Sequence, residues 1–351
     1  MLPRLAVSIG CPCGVGPDVS VVAALVKRPR ARLLLVGDVA TLRAAAKTYG
    51  LYADRLVRVA SADDAWMVRA SDVAVWQPTN DLAKRDRTPG RPTRESGAAQ
   101  LAWIDAACDL VTAGRADALV TGPVSKAVIA SSSAPGAKEF LGHTEHLQRR
   151  LRAREVVMAF WSRTLTTSLV TTHMALADVP RAITPAAVAS STFWLADLLA
   201  TVGEGRPRVA VASLNPHAGE GGLLGREEAT RIVPGMVRAR TRLERAGIDA
   251  EIVGPVPAET AMRLAAAGEL SGVVAMYHDQ ATIPMKLESF GDAVNVSLGL
   301  PIIRTSVDHG TAYDRAGKGT ADARGMREAL GLAARLSAAR RSKTSATRRS
   351  R

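Results

Sequence analysis

Three of the six histidines stand directly after apolar runs. His173 ends SLVTTH, His217 follows VAVASLNP and His278 follows VVAMY. In open parallel sheets ligands gather beyond the carboxyl ends of the strands, so three imidazoles can converge there. Three neutral imidazoles with an open position hold a catalytic divalent metal. The competing assignment is that each caps its own strand by bonding a neighbouring loop. Around His217, LNPHAGEGGLLGREE supplies Gly219, Gly221, Gly222 and Gly225, which permit close backbone approach. Glu227 and Glu228 then fall in a helix first turn, which the dipole favours. Such glycine density at a strand end suits a ligand seat better than a plain turn.

The stretch from Met276 to Asp322 adds His278, Asp279, Lys286, Asn295, Arg304, Asp308 and His309. Lysine and arginine near one strand end neutralise a phosphate or carboxylate. The glycine-rich segment Asp308–Asp322 has the composition of a loop that encloses a nucleotide, against the plainer assignment of solvated turns. In KEFLGHTEHL (138–147) the chain turns at Gly142 into a helix N-terminus. That is an anion site with His143 and Thr144 as donors, or a simple threonine cap. His146 is expected to pack or face solvent.

At the other end, IGCPCGVGPDV (9–19) places two cysteines around a proline before Gly-x-Gly. It lacks the third glycine of a dinucleotide fingerprint, and Cys-x-Cys matches no common zinc spacing. It reads as a strand-to-helix turn with Pro17 starting the helix.

The elements that must position these residues are short apolar runs separated by helical stretches. Strands are predicted at 5–9, 33–37, 73–77, 118–122, 156–160, 166–172, 209–213, 251–254, 273–277 and 294–300. Near-continuous apolar runs of this length belong to parallel strands buried on both faces. Thr184 caps a helix with Pro185 at its first position. Arg226 to Ala246 is helical, kinked at Pro234–Gly235 and closed by Gly247. The segment 77–92 reads as a surface loop. The class is α/β.

At 351 residues the chain has room for one large α/β unit or two domains. No apolar run reaches the roughly 20 residues of a membrane span, and the N-terminus has no secretory pattern. Three cysteines make no disulfide framework, so a soluble protein of a reducing cytoplasm is expected. The net charge of +13 owes six basic residues to the segment from Arg340 onward, which contains no acid. Residues 336–351 are therefore expected to be a basic, disordered tail. Scarce aromatics, none interleaved with the basic residues, argue against a nucleic-acid platform, so nucleic-acid binding by the tail is not expected.

GHTE (142–145), TTHMALADVP (171–180), SLNPHAGEGGLLGREE (213–228), MYHDQ (276–280) and VNVSLGLPIIRTSVDHGTA (294–312) together resemble the 4-hydroxythreonine-4-phosphate dehydrogenase family. The motifs keep the family's order from about residue 5 to about residue 335. The resemblance implies an isocitrate/isopropylmalate dehydrogenase-like fold, with two α/β/α lobes around a central cleft in residues 1–335. It also implies a homodimer with shared active sites. The implied reaction is NAD- or NADP-dependent oxidation of 4-phosphooxy-L-threonine at its C3 hydroxyl. Decarboxylation to 3-amino-2-oxopropyl phosphate follows, in pyridoxal 5'-phosphate (vitamin B6) biosynthesis.

By the same resemblance His173, His217 and His278 match ligands of a divalent metal (zinc, magnesium or cobalt) contributed by both subunits. His143, Thr144, Lys286, Asn295 and Arg304 match substrate-binding positions, and Lys286 or Asp279 relays the proton. HGTAYDRAGKGTAD (309–322) is similar to the cofactor loop of isopropylmalate dehydrogenases. That places Asp314 near the adenosine ribose, with His309 and Gly310 in the cofactor site. The alternative is a relative acting on another phosphorylated hydroxy acid, such as threonate or erythronate 4-phosphate, or on a dihydrodiol carboxylate. The chain departs from the family pattern at Cys11 and Cys13, where an acid and an alanine are usual, which argues against a zinc or redox pair there. It departs again at His146 and at Ala281, the latter replacing a glycine.

Overall fold

The computed structural model describes residues 2–203 and 205–349, without the side chains beyond 342. Twelve strands occur in chain order: β1 (Arg4–Ser8), β2 (Arg32–Val36), β3 (Leu56–Val59), β4 (Val73–Trp76), β5 (Ala118–Thr121), β6 (Val157–Trp161), β7 (Thr166–Leu169), β8 (Arg208–Ala212), β9 (Glu251–Val256), β10 (Gly272–Ala275), β11 (Val294–Leu298) and β12 (Ile303–Val307). The chain divides into two compact units: Met1–Ala153 with Leu300–Arg351, and Arg154–Gly299.

In the first unit the strands run β3-β4-β2-β1-β5-β12, all parallel. Leu5, Ala6 and Val7 are wholly buried, because helices cover the sheet and leave no solvent face to a central strand. Helix Arg94–Thr112 packs on β1 and β5 and buries Trp103 and Ile104 completely. Its start is a capping box, in which Thr93 Oγ1 accepts from Ser96 N–H and Ser96 Oγ accepts from Thr93 N–H. Helix Gly16–Leu25 has Pro17 in its first turn, as expected of the strand-to-helix turn.

In the second unit the order is β11-β6-β7-β10-β8-β9. β7, β10, β8 and β9 are parallel, whereas β6 runs antiparallel to both neighbours. The expectation of parallel strands throughout is corrected there. An apolar run reports burial on both faces and says nothing of direction. Two cores cover the two faces, and the strands divide between them with period two. Ala210, Ala212, Val273 and Ala275 enter one core, and Val209, Val211, Val274 and Met276 the other.

Helix Pro185–Val202 begins as expected, Thr184 accepting from Ala187 N–H at 3.1 Å. It is long and apolar enough to cross a membrane by composition, yet half of it is buried, and it packs on helix Val233–Ala246. The expected kink at Pro234 resolves into a π-helical turn, Glu228–Ile232, followed by an α-helix from Val233. Pro234 sits in that helix's first turn, where no N–H is missed, and Gly247 closes it at φ 65°.

The disordered tail expected from residue 336 is corrected. A helix spans Arg324–Arg349. Met326, Ala329, Leu330, Ala333, Leu336 and Ser337 form its buried stripe. Arg340 donates to Pro301 C=O at 3.2 Å, and Arg341 Nε to Asp117 Oδ1 at 3.0 Å. Residues 336–342 are thus part of the first unit. Ser350 and Arg351 lie outside the described residues.

Candidate active site

The three histidines of the second unit stand at the carboxyl ends of β7, β8 and β10, which are neighbours in one parallel run. His173 and His278 come together with ring centroids 5.5 Å apart. Two imidazoles sharing one tetrahedral zinc through a nitrogen each would place their centroids about 5 Å apart. Asp279 Oδ1 accepts from His278 Nδ1–H at 2.7 Å. That bond protonates Nδ1 and leaves Nε2 as the electron-pair donor, the arrangement a metal-binding histidine needs. Gln280 ties the strand ends together, accepting from Met276 N–H at 2.6 Å and donating to Ser213 C=O at 2.9 Å.

His217 does not join the pair. Among the described residues, no group of three or more His, Cys, Asp or Glu side chains converges as a metal site. His217 opens a left-handed turn in which His217, Ala218 and Glu220 have φ of 52°, 53° and 46°. Such a conformation costs about 1–2 kcal/mol per non-glycine residue and persists only where the surroundings enforce it. The enforcer is buried Glu228. Its Oε1 accepts from Leu214 and Asn215 N–H at 2.9 and 2.8 Å, and its Oε2 accepts from Asn215 Nδ2 at 2.9 Å. The Glu227–Glu228 pair, expected to serve the helix dipole, pins the His217 loop as well. Lys286 is exposed on helix His278–Ser289, and Asn295 is half-buried on β11.

The first unit holds a different constellation. Gly142 caps helix His143–Arg150, as the sequence predicts. His143 Nε2 is buried and has no hydrogen-bond partner among the described residues. Burial, reinforced by Arg304, His146 and Lys126, holds the His143 imidazolium pKa well below its ordinary value. The ring is therefore neutral at pH 7. Arg304, on β12, is 3% exposed and donates from Nε and Nη2 to Thr121 Oγ1 at 3.2 and 2.7 Å. Burial pushes its pKa down to about 9, with Glu145 pulling the other way. Thr144 is buried in the same helix turn. A Cβ added to Gly142 would lie 3.4 Å from Lys126 Nζ, so the lysine overlies the helix start. Lys126 and Thr121 were not singled out from the sequence. The signal was TGPVSK, which starts at Thr121, the last residue of β5, and sets a hydroxyl and a cation at a strand end.

The glycine-rich loop 309–322 lies against the first turn of the chain. Val15 N–H donates to Thr311 C=O at 2.9 Å, and Gly317 N–H to Asp18 Oδ2 at 2.9 Å. Burial raises the Asp18 pKa, and the Gly317 bond offsets part of the rise. A cavity of about 240 Å³ opens beside it, lined by Pro12, Asp18, Thr41, Thr48, Arg87 and Gly317 among others. His309, Gly310 and Asp314 do not line it. His309 Nδ1 bonds Gly310 C=O at 2.9 Å, and Asp314 is exposed beside Arg315 at 3.8 Å.

Residues 29–333 match the family of the pyridoxal phosphate biosynthetic protein PdxA. A relative from Desulfosudis oleivorans, named 4-hydroxythreonine-4-phosphate dehydrogenase, is 40% identical over 334 residues, covering 94% of this chain and 95% of its own. Among solved structures, 4-hydroxythreonine-4-phosphate dehydrogenase from Klebsiella pneumoniae superposes with a TM-score of 0.80 at 31% identity, over 96% of this chain and 98% of its own. A terephthalate 1,2-cis-dihydrodiol dehydrogenase from Burkholderia xenovorans is more distant, at TM-score 0.65 and 26% identity over 95% and 98%. Fold and site define an α/β enzyme of the isocitrate/isopropylmalate dehydrogenase-like architecture. Within that class the chain belongs to the PdxA family of pyridoxal phosphate biosynthesis.

Proposed function

We propose that this chain oxidises 4-phosphooxy-L-threonine at the C3 hydroxyl with NAD or NADP. The β-keto acid then loses CO2 to give 3-amino-2-oxopropyl phosphate, on the route to pyridoxal 5'-phosphate. Arg304 carries the proposal. It is a buried guanidinium bonded to Thr121 and in electrostatic contact with Glu145, grouped with His143 and Lys126 at a helix N-terminus. Such a set of donors and cations at a helix start suits a phosphate dianion.

Arg304 and Lys126 bind the phosphate oxygens as cations, and neutral His143 and Thr144 act as hydrogen-bond donors. Asn295 holds a further polar group of the substrate. His173, His217 and His278 hold the divalent ion (zinc, magnesium or cobalt), with Asp279 fixing the tautomer of His278. When bound, such an ion lowers the pKa of a substrate hydroxyl and offsets charge that develops on carbon during loss of CO2. A bound nicotinamide would supply the hydride acceptor. Since Asp279 is engaged by His278, Lys286 is the group that accepts the hydroxyl proton and later returns one to carbon. Asp314, His309 and Gly310 hold the adenosine end of the cofactor.

The separation of His217 from His173 and His278 within one chain supports a homodimer with shared active sites. The test is reduced-cofactor formation from a panel of phosphorylated hydroxy acids, each with NAD and NADP, with and without added metal. Turnover of 4-phosphooxy-threonine above threonate and erythronate 4-phosphates is expected. Its absence beside brisk turnover of another acid replaces the substrate.

A further inference from the structure

The cavity of the first unit has no part in the proposed chemistry. It measures about 240 Å³ and lies among the start of helix Gly16–Leu25, helix Val39–Thr48, the segment 84–89 and Gly317 of the glycine-rich loop. A pocket that encloses a whole drug-sized ligand has roughly 300–1,000 Å³, so this one suits one end of a longer molecule. Pro17, Ala45 and Pro89 give it an apolar wall. Two hydroxyls line it as well: Thr41 Oγ1 donates to Asp38 Oδ1 at 2.6 Å, and Thr48 Oγ1 donates to Ala44 C=O at 3.1 Å. With their protons engaged they offer lone pairs only, which suits the O–H and N–H groups of a nucleoside.

Two cations complete the lining. Lys84 and Arg87 are three apart in one 3₁₀ turn, and residues at that spacing stand on the same side of such a turn. The turn is firmly held. Asp86 is buried and its Oδ1 accepts from Thr93 Oγ1 at 2.9 Å, Thr88 Oγ1 donates to Lys84 C=O at 2.8 Å, and Gly90 N–H donates to Cys13 C=O at 2.8 Å. Asp86 also pairs with Arg85 at 3.7 Å. Arg87 Nε donates to Leu82 C=O at 3.3 Å, and among the described residues neither Lys84 nor Arg87 has a carboxylate within ion-pair distance. The acid of the lining is Asp18, which already accepts from Gly317 N–H at 2.9 Å.

We propose that Lys84 and Arg87 bind the 2'-phosphate of NADP at this cavity and thereby select NADP over NAD. The inference rests on the reading of 309–322 as the cofactor loop. Paired cations fit a phosphate monoester, which carries about two negative charges on one phosphorus at pH 7, better than a pyrophosphate, which divides them over two. The 2'-phosphate is the only monoester of the dinucleotide. The other monoester in the proposed reaction, that of the substrate, is assigned to Arg304, which does not line the cavity. Asp314, the acid placed near the ribose, is exposed and has Arg315 Nε at 3.8 Å, which offsets its repulsion of a phosphate.

Binding is read without turnover, by titrating the full-length protein with NADPH and NADH through nicotinamide fluorescence, and with 2'-AMP and 5'-AMP by calorimetry. The wild type should bind NADPH about tenfold tighter than NADH, and 2'-AMP tighter than 5'-AMP. Lys84→Gln and Arg87→Gln should each lower the NADPH-to-NADH affinity ratio about tenfold, the scale of one hydrogen bond to a charged group. Lys84→Gln carries the test if Arg87→Gln does not fold, since Lys84 is exposed and its ammonium has no hydrogen bond or ion pair among the described residues. A wild type that prefers NADH overturns the proposal. So does a ratio that the variants leave unmoved, including equal losses for both nucleotides, which would mark a pyrophosphate contact. In those cases NADH still binds and the dehydrogenase reading stands. A wild type that binds neither nucleotide overturns that reading and this proposal with it.

Discussion

At the scale of single residues, Arg304 is the buried cation of this cluster, bonded to Thr121 and in electrostatic contact with Glu145. Removing one member of a buried charged group leaves its partners uncompensated. Arg304→Met is therefore expected to lower the melting temperature of the ligand-free enzyme and to raise the substrate KM by about 100-fold or more. Calorimetry and steady-state kinetics on the same preparation check both, and a variant with an unchanged KM contradicts the argument. His143 gives a pH signature. Its folded-state pKa lies below the unfolded value of 6.5, so the unfolded chain binds the proton first as pH falls. Stability from this group is complete above pH 6.5 and is lost progressively below it. His143→Gln should flatten the fall of denaturation free energy between about pH 6.5 and 5, measured by urea titration. The types and spacings of His143, Thr144 and Arg304 marked them from sequence. Thr121 and Lys126 had only the weak signal of a polar strand end, because Thr121 meets Arg304 across 183 residues only when β5 and β12 pair.

At the scale of elements, Glu155 shows how one side chain fixes two helices. It precedes β6 and accepts from Ser190 Oγ at 2.5 Å and Trp194 Nε1 at 2.8 Å on helix Pro185–Val202. From helix Val233–Ala246, Arg242 donates to it through both terminal nitrogens while its guanidinium stacks 3.8 Å from the Phe193 ring centroid. Burial raises the Glu155 pKa, but Arg242, Ser190 and Trp194 together outweigh it, and the net shift is downward. Stability from this carboxylate is thus present above pH 4.5 and is lost as pH falls through its folded-state value. Both partners are about one-third exposed, which screens the pair. Glu155→Gln should cost about 1–2 kcal/mol at pH 7 and progressively less as pH falls below 4.5, and thermal melts along that series decide it. Ten strands were legible as apolar runs, and the two that were not have physical reasons. β12 is IRTSV, whose buried Arg304, Thr305 and Ser306 find partners on Thr121 and Ala329. β3 is four residues with a central arginine and little burial. The C-terminal helix was hidden by its composition, since the arginines that suggested disorder coexist with an apolar stripe reaching Leu336.

At the scale of the whole molecule, the strand-end histidines were legible from their positions after apolar runs, but their assembly was not. β7, β10 and β8 are adjacent, yet among the described residues only His173 and His278 of the three meet. The His217 loop is held away in a left-handed turn by Glu228. A strained, stapled loop that presents its histidine to no metal-ligating group among the described residues has the form of a ligand given to another copy. On the proposed reading of a two-fold homodimer, each metal would take His173 and His278 from one protomer and His217 of the partner subunit. That arrangement has a consequence in mixing experiments. His173→Ala and His217→Ala should each be inactive alone and bind little metal. When the two are co-expressed or reassociated in equal amounts, half the dimers are mixed, and each mixed dimer carries one doubly damaged site and one intact site. Activity should recover to about a quarter of wild type, and tightly bound metal should recover in the same proportion. A mixture as inactive as its components places all three ligands on one chain, and would require the His217 loop to swing inward when metal binds.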